Sequence, residues 1–192
     1  IHIYDIASKQ STQITTDGEK NKIINGITDW VYEEEFNDPR ASGNPFIRAF
    51  DWSSDSKKIA YIRFDESQVP EFSMTVFGKE LYPAVETFKY PKAGEKNSEV
   101  SLHIYDVAIN KTKQVNLSNY SDFYIARIKW TNDANVLSAQ LLNRHQDNLD
   151  VLFIDGNTAT TKVVLNERDK AYVDITDNLT FLKDNSFIWT SE

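Results

Sequence analysis

There is no cysteine in the 192 residues. The chain therefore forms no disulfide, offers no thiolate to a metal and has no cysteine nucleophile. No apolar run approaches the roughly 20 residues that a bilayer-crossing helix needs. Positive charge is also short: 21 basic residues face 29 acidic ones, for a net charge of −8. That balance argues against a broad nucleic-acid footprint. It is compatible with a cationic ligand, although many soluble proteins are acidic for no such reason. A nucleophile elbow of the form G-x-S-x-G is missing too. The three histidines, His2, His103 and His145, have no serine and aspartate pattern around them, and each reads as a surface or strand residue rather than a catalytic base.

What is present is repetition. IHIYDIASKQSTQIT at 1–15 returns as SLHIYDVAINKTKQVNL at 101–117 and, more loosely, as LDVLFIDGNTATTKVVL at 149–165. Each copy is an alternating strand, a polar turn and a second short strand. Another unit precedes it: FDWSSDSKKIAYIRFD at 50–65, IKWTNDANVLSAQLLN at 128–143 and LTFLKDNSFIWTSE at 179–192. Joined, the units make a four-stranded antiparallel meander of about 43 residues, the size of a propeller blade.

The sequence thus predicts an all-β fold, a partial β-propeller. The end of one blade occupies 1–22, a complete blade 23–124, another 125–167, and the start of a next one 175–192. Trp52, Trp130 and Phe181 are expected to pack between blades. Opening on IHIYD and closing on FIWTSE, the chain is expected to be a piece of a longer protein.

Two stretches break the period. Residues 66–98 hold Pro70, Pro83 and Pro91 around an alternating Phe72, Met74, Val76 segment, which suggests a strand pair standing off the blade as an arm. Residues 23–49 contain DWVYEEEF at 29–36, three consecutive glutamates among aromatic residues, followed by the Pro-, Gly- and Asn-rich NDPRASGNPF. Taken alone the triplet reads as a solvated acidic turn. A strand would send neighbouring carboxylates to opposite faces, so pointing them the same way takes a helical or bulged backbone, and a short helical turn is expected near 29–36.

NGITDWVYEEEF at 25–36, YPAVETFKYPKAGEKN at 82–97 and, between them, FDWSSDSKKIAYIRFDESQVPEF resemble the propeller domain of the dipeptidyl peptidase IV family and its bacterial members. The resemblance implies an eight-bladed propeller joined to an α/β-hydrolase domain that is absent from this chain. It implies a serine exopeptidase releasing X-Pro, and less well X-Ala, dipeptides from peptide N-termini. Glu34 and Glu35 are then the substrate-binding residues, holding the free α-ammonium, while Glu33 has no such part.

No catalytic residue, metal or cofactor is expected in these residues, and the piece alone is expected to be inactive. Its partners would be a peptide with a free N-terminus, the hydrolase domain of its own full-length chain, and a second copy met through the 66–92 arm. A bacterial periplasmic or cell-surface location goes with the resemblance. The 37–49 segment is an insertion relative to the shorter loop of animal members, expected to reshape the pocket wall. Two other readings stay open: a non-catalytic propeller interaction module, or an inactive family homologue.

Overall fold

The computed structural model describes residues 1–36 and 48–191 and is almost entirely antiparallel β-structure. Its most regular sheet is a meander of β10 (Phe123–Trp130), β11 (Val136–Asn143), β12 (Asn148–Asp155) and β13 (Thr161–Arg168). β11 is buried on both faces, with Leu137, Leu141 and Leu142 fully enclosed. Two polar side chains share that strand and are buried with bonds to main-chain carbonyls. Ser138 Oγ donates to Lys129 C=O at 2.6 Å and Gln140 Nε2 to Thr176 C=O at 2.9 Å, as a dry interior requires.

The repeated sequence strings share one turn chemistry. Asp5, Asp106 and Asp155 each accept main-chain amides two or three residues on: Ser8 N at 2.6 Å, Ala108 N at 2.9 Å, and Asn157 N and Thr158 N at 2.8 and 2.7 Å. Four residues after each aspartate the backbone is left-handed, at Lys9 (φ 57°), Asn110 (φ 54°) and Ala159 (φ 62°). These turns close the outer hairpins β1 (His2–Asp5) with β2 (Gln10–Gln13), β8 (Glu99–Asp106) with β9 (Lys111–Gln114), and β12 with β13.

The sheet built on β8 and β9 has one irregularity that makes the rest of the molecule interesting. β5 (Lys58–Asp65) pairs with β8 on one side. On the other it pairs with two short strands in succession, β4 (Phe50–Trp52) along its first half and β3 (Ile23–Asn25) along its second. The strand at this edge is thus split, and residues 28–36 leave from the gap. The gap is closed by a bridge between Ile27 and Arg48 and by Ala49 N donating to Gly26 C=O at 3.1 Å. Gly26 turns the chain at φ 74°, the left-handed region that favours glycine; a Cβ there would also stand 2.7 Å from Ile1 Cδ1, a side-chain tip that would have to move.

The two sheets are joined by a continuous core that includes Phe64, Leu102, Ile125 and Leu149. Trp130 lies between them: its Nε1 donates to Asp51 C=O at 3.1 Å and its amide to Asp51 Oδ2 at 3.2 Å. Phe181, on β14 (Thr180–Phe181), packs on Phe153 of β12 at a ring separation of 6.0 Å, beside Phe187 of β15 (Phe187–Ile188). Trp52 departs from the expectation made for it. It is 37% exposed, and the apolar residues that cluster with Ile1, Ile3 and Ile14 are instead Ile59, Tyr61, Tyr105 and Phe50. The expected arm is the hairpin β6 (Glu71–Val76) and β7 (Ala84–Lys89), which pairs with no other sheet.

Candidate functional site

The expected helical turn is α1, Trp30–Glu34, with Glu35 as its C-terminal cap. Asp29 starts it in the manner of an N-cap, its carboxylate accepting from the Tyr32 amide at 3.0 Å. Five residues are far too few to hold a helix by local propensity, so its position comes from packing. Val31, Tyr32 and Phe36 are buried, with Tyr32 set against Phe36 at 5.0 Å and Phe64 at 4.8 Å and with Phe36 4.7 Å from Tyr124. The Tyr32 hydroxyl accepts from the Ile125 amide at 2.8 Å, where the register between β10 and β11 slips. That bond ties the helix to the neighbouring blade.

With one face so fixed, Glu34 and Glu35 are exposed and Glu33 is half-buried. Successive helical residues differ by about 100° in direction rather than by the 180° of a strand, so the turn keeps Glu34 and Glu35 from being sent to opposite faces. They also stand at the C-terminal end of the helix, where unpaired carbonyls make anions unwelcome and cations welcome. Stability alone would not place two carboxylates there.

Behind the helix is a set of buried polar groups that the sequence did not single out. Asp29 is only 4% exposed and accepts a second bond from Ser98 Oγ at 2.6 Å. Burial raises its pKa against the pull of those two bonds. Glu66 is likewise buried, and burial, reinforced by the charge of Asp29 and opposed by Lys89, lifts its pKa to about 7. Burial, and next the charge of Asp29, push the Tyr32 hydroxyl well above its ordinary value. Asp29 was findable, since an aspartate just before an apolar helical turn is a start signal. Ser98 and Glu66 had no such signal.

A cleft of about 850 Å³ opens on the far side of Ser98, with Asn97, Tyr120, Asp122, Arg144 and His145 along its walls. His145 thus lines a surface cleft, and His2 lies on the exposed strand β1. His103 lies in β8, stacked on Tyr61 at 5.2 Å, with Ser101 Oγ 2.9 Å from its Nε2. The serine neighbour was not anticipated. Burial, and then the charge of Arg63, lower the His103 pKa to about 4, which makes the ring a feeble base. Among the described residues no group of three or more His, Cys, Asp or Glu side chains is placed to hold a metal ion. The 37–49 insertion lies over 37–47 outside the described residues.

Comparison with known proteins places these features in a family. All of residues 1–192 match the family model described as the dipeptidyl peptidase IV N-terminal region. A probable dipeptidyl-aminopeptidase B of Phaeosphaeria nodorum is 31% identical over 97% of this chain and 22% of its own length. Another, from Aspergillus terreus, is 36% identical over 83% of this chain and 18% of its own length. The crystal structure of Porphyromonas gingivalis dipeptidyl peptidase 4 superposes with a TM-score of 0.88 at 40% identity, over 97% of this chain and 26% of that one. The chain therefore spans about a fifth to a quarter of these relatives.

The buried acid makes a testable statement about pH. Glu66 titrates near 4.5 when unfolded and near 7 when folded, so between those values the folded state binds the extra proton. Its contribution to stability is thus fully present below about pH 4.5 and is lost as pH rises through 7. His103 acts oppositely, since its folded pKa lies below its unfolded 6.5, and stability is lost as pH falls from 6.5 toward 4. We expect Glu66→Gln to melt several degrees above wild type at pH 8, with the gap closing by pH 5, in parallel calorimetric scans. A gap independent of pH would show that Glu66 ionises as it does in the unfolded chain.

Proposed function

Since the chain belongs to the dipeptidyl peptidase IV family, as its N-terminal region, we propose that it supplies the substrate anchor of a serine exopeptidase releasing X-Pro and X-Ala dipeptides. The observation that carries this reading is the placement of Glu34 and Glu35. They are exposed, adjacent, and at the C-terminal end of a short helical turn, the end that favours a cation. A peptide's α-ammonium has three donors and a full charge, so two carboxylates can accept from it together. Each such bond contributes about 1.5–3 kcal/mol.

An anchor at a fixed distance from a nucleophile also measures length, so that the bond two residues from the amino end is the one presented for cleavage. The nucleophile and its histidine and aspartate belong to the hydrolase domain of the longer chain, and this piece alone does not turn over peptides. Periplasmic or cell-surface placement in a bacterium suits an enzyme that takes free peptides. Among the described residues no helix is long and apolar enough to cross a membrane.

The arm is proposed as the contact between two copies of the parent. Its support is apolar exposure at and near the hairpin tip: Phe77, Leu81, Tyr82 and Val85 are 84%, 88%, 80% and 70% exposed. Apolar side chains gathered on a projecting hairpin mark a place where another surface docks.

In the full-length protein, Glu34→Gln or Glu35→Gln is expected to reduce kcat/KM on H-Gly-Pro-amide substrates by about 10- to 150-fold, the equivalent of one charge-assisted bond. Wild-type efficiency in both variants would sink the anchor reading. Leu81→Glu with Tyr82→Glu is expected to turn a dimeric parent into a monomer in sedimentation velocity runs. An unchanged sedimentation coefficient would mean that the arm is not the contact.

A further inference from the structure

The glutamate helix is too short to orient itself, and its buried face accounts for only part of what holds it. Tyr32 and Phe36 fix it to the blade core, but its N-terminal end rests on something else. The chain leaves β5 at Asp65, builds the arm and re-enters the sheet at Glu99, and the returning leg touches the helix start twice. Ser98 Oγ donates to Asp29 Oδ2 at 2.6 Å, and the Tyr90 ring meets Trp30 edge-on at 4.3 Å. Tyr90 in turn packs on Phe72 of β6 at 5.5 Å and Phe88 of β7 at 6.4 Å.

The two legs of the arm are themselves bound together at this level. The Tyr90 amide donates to Pro70 C=O at 3.0 Å and Lys89 Nζ to Val69 C=O at 2.9 Å, while Val69 and Glu66 on the outgoing leg are buried. The root of the arm is thus a packed, hydrogen-bonded block on which the first turn of α1 is seated.

We infer that the arm root is the positioning element of the anchor: Ser98 through Asp29, and Tyr90 through Trp30, set where Glu34 and Glu35 stand. This rests on the reading of that glutamate pair as the ammonium site. Neither Ser98 nor Tyr90 touches the ligand. Ser98 is one of the two donors to the Asp29 carboxylate, and Asp29 fixes the first turn. Loss of the hydroxyl removes the side-chain donor to that buried carboxylate and leaves main-chain donors such as the Tyr32 amide. A shift of the first helical turn is one way for the weakened Asp29 contact to relax, and a shift of about 1 Å at a positioning group is worth as much as 100-fold in rate.

The test separates positioning from general damage by a ratio. In the full-length protein, inhibition constants are measured for an X-Pro-type competitive inhibitor and for its counterpart lacking the α-amino group. Overall loosening weakens both together, whereas a displaced anchor weakens only the amine-bearing one. Ser98→Ala is expected to reduce the preference for the amine about tenfold, Ser98→Thr to restore it, and Tyr90→Leu to reduce it similarly. Glu34→Gln is run beside them.

If Ser98→Ala and Tyr90→Leu both keep the wild-type preference while Glu34→Gln loses it, the positioning inference is overturned and the anchor reading stands. If Glu34→Gln also keeps the preference, the anchor reading falls and this inference with it. Should Ser98→Ala fail to fold, Tyr90→Leu decides by the same ratio.

Discussion

The carboxylate of Asp29 is the point through which the candidate site is held together. It caps the five-residue helix from below, takes the Ser98 hydroxyl from the root of the arm, and does so while almost wholly shielded from water. A buried carboxylate with no partners is costly, so the two donors are obligatory rather than decorative. Their positions oblige the arm root and the helix start to stay in register. Those contacts and the Tyr32 packing hold the helix on which the exposed Glu34 and Glu35 stand.

The arrangement runs against stability at its exposed end. Adjacent carboxylates repel, and a helix C-terminus disfavours anions by about 0.3–1 kcal/mol each. The edge strand of the blade is also interrupted, β3 and β4 sharing the length of β5. Local departures of this kind, in a sheet that is otherwise consistent from turn chemistry to core, are the places where functional sites are expected. The core is large enough to tolerate them, since the insertion leaves and returns at one bridge and the β5–β8 ladder is unbroken.

Much of the fold was legible because its signals are local. Period-two alternation and the aspartate turns repeat in the sequence at 5, 106 and 155, and the meander follows from them. The helical turn was legible from electrostatics, since three glutamates in a strand would have been scattered across both faces. What could not be read depends on distant pairs. Asp29 and Ser98 are 69 residues apart, and Tyr32 and Ile125 are 93 apart. Neither pair leaves a period or a spacing behind. The burial of Glu66 and the half-exposure of Trp52 are decided by which neighbour happens to cover them, and the splitting of the edge strand by a bridge between residues 27 and 48. The glutamates were conspicuous in the sequence; the groups that hold their helix were not.

The central claim is that a peptide's amino end sits between Glu34 and Glu35. The most direct measurement is a crystal structure of the full-length protein with an X-Pro dipeptide or a slowly cleaved analogue bound. The account predicts the α-nitrogen within about 2.7–2.9 Å of a carboxylate oxygen from each glutamate, as charge-assisted bonds require. An α-nitrogen held by other groups, with both glutamates turned to solvent, would contradict it.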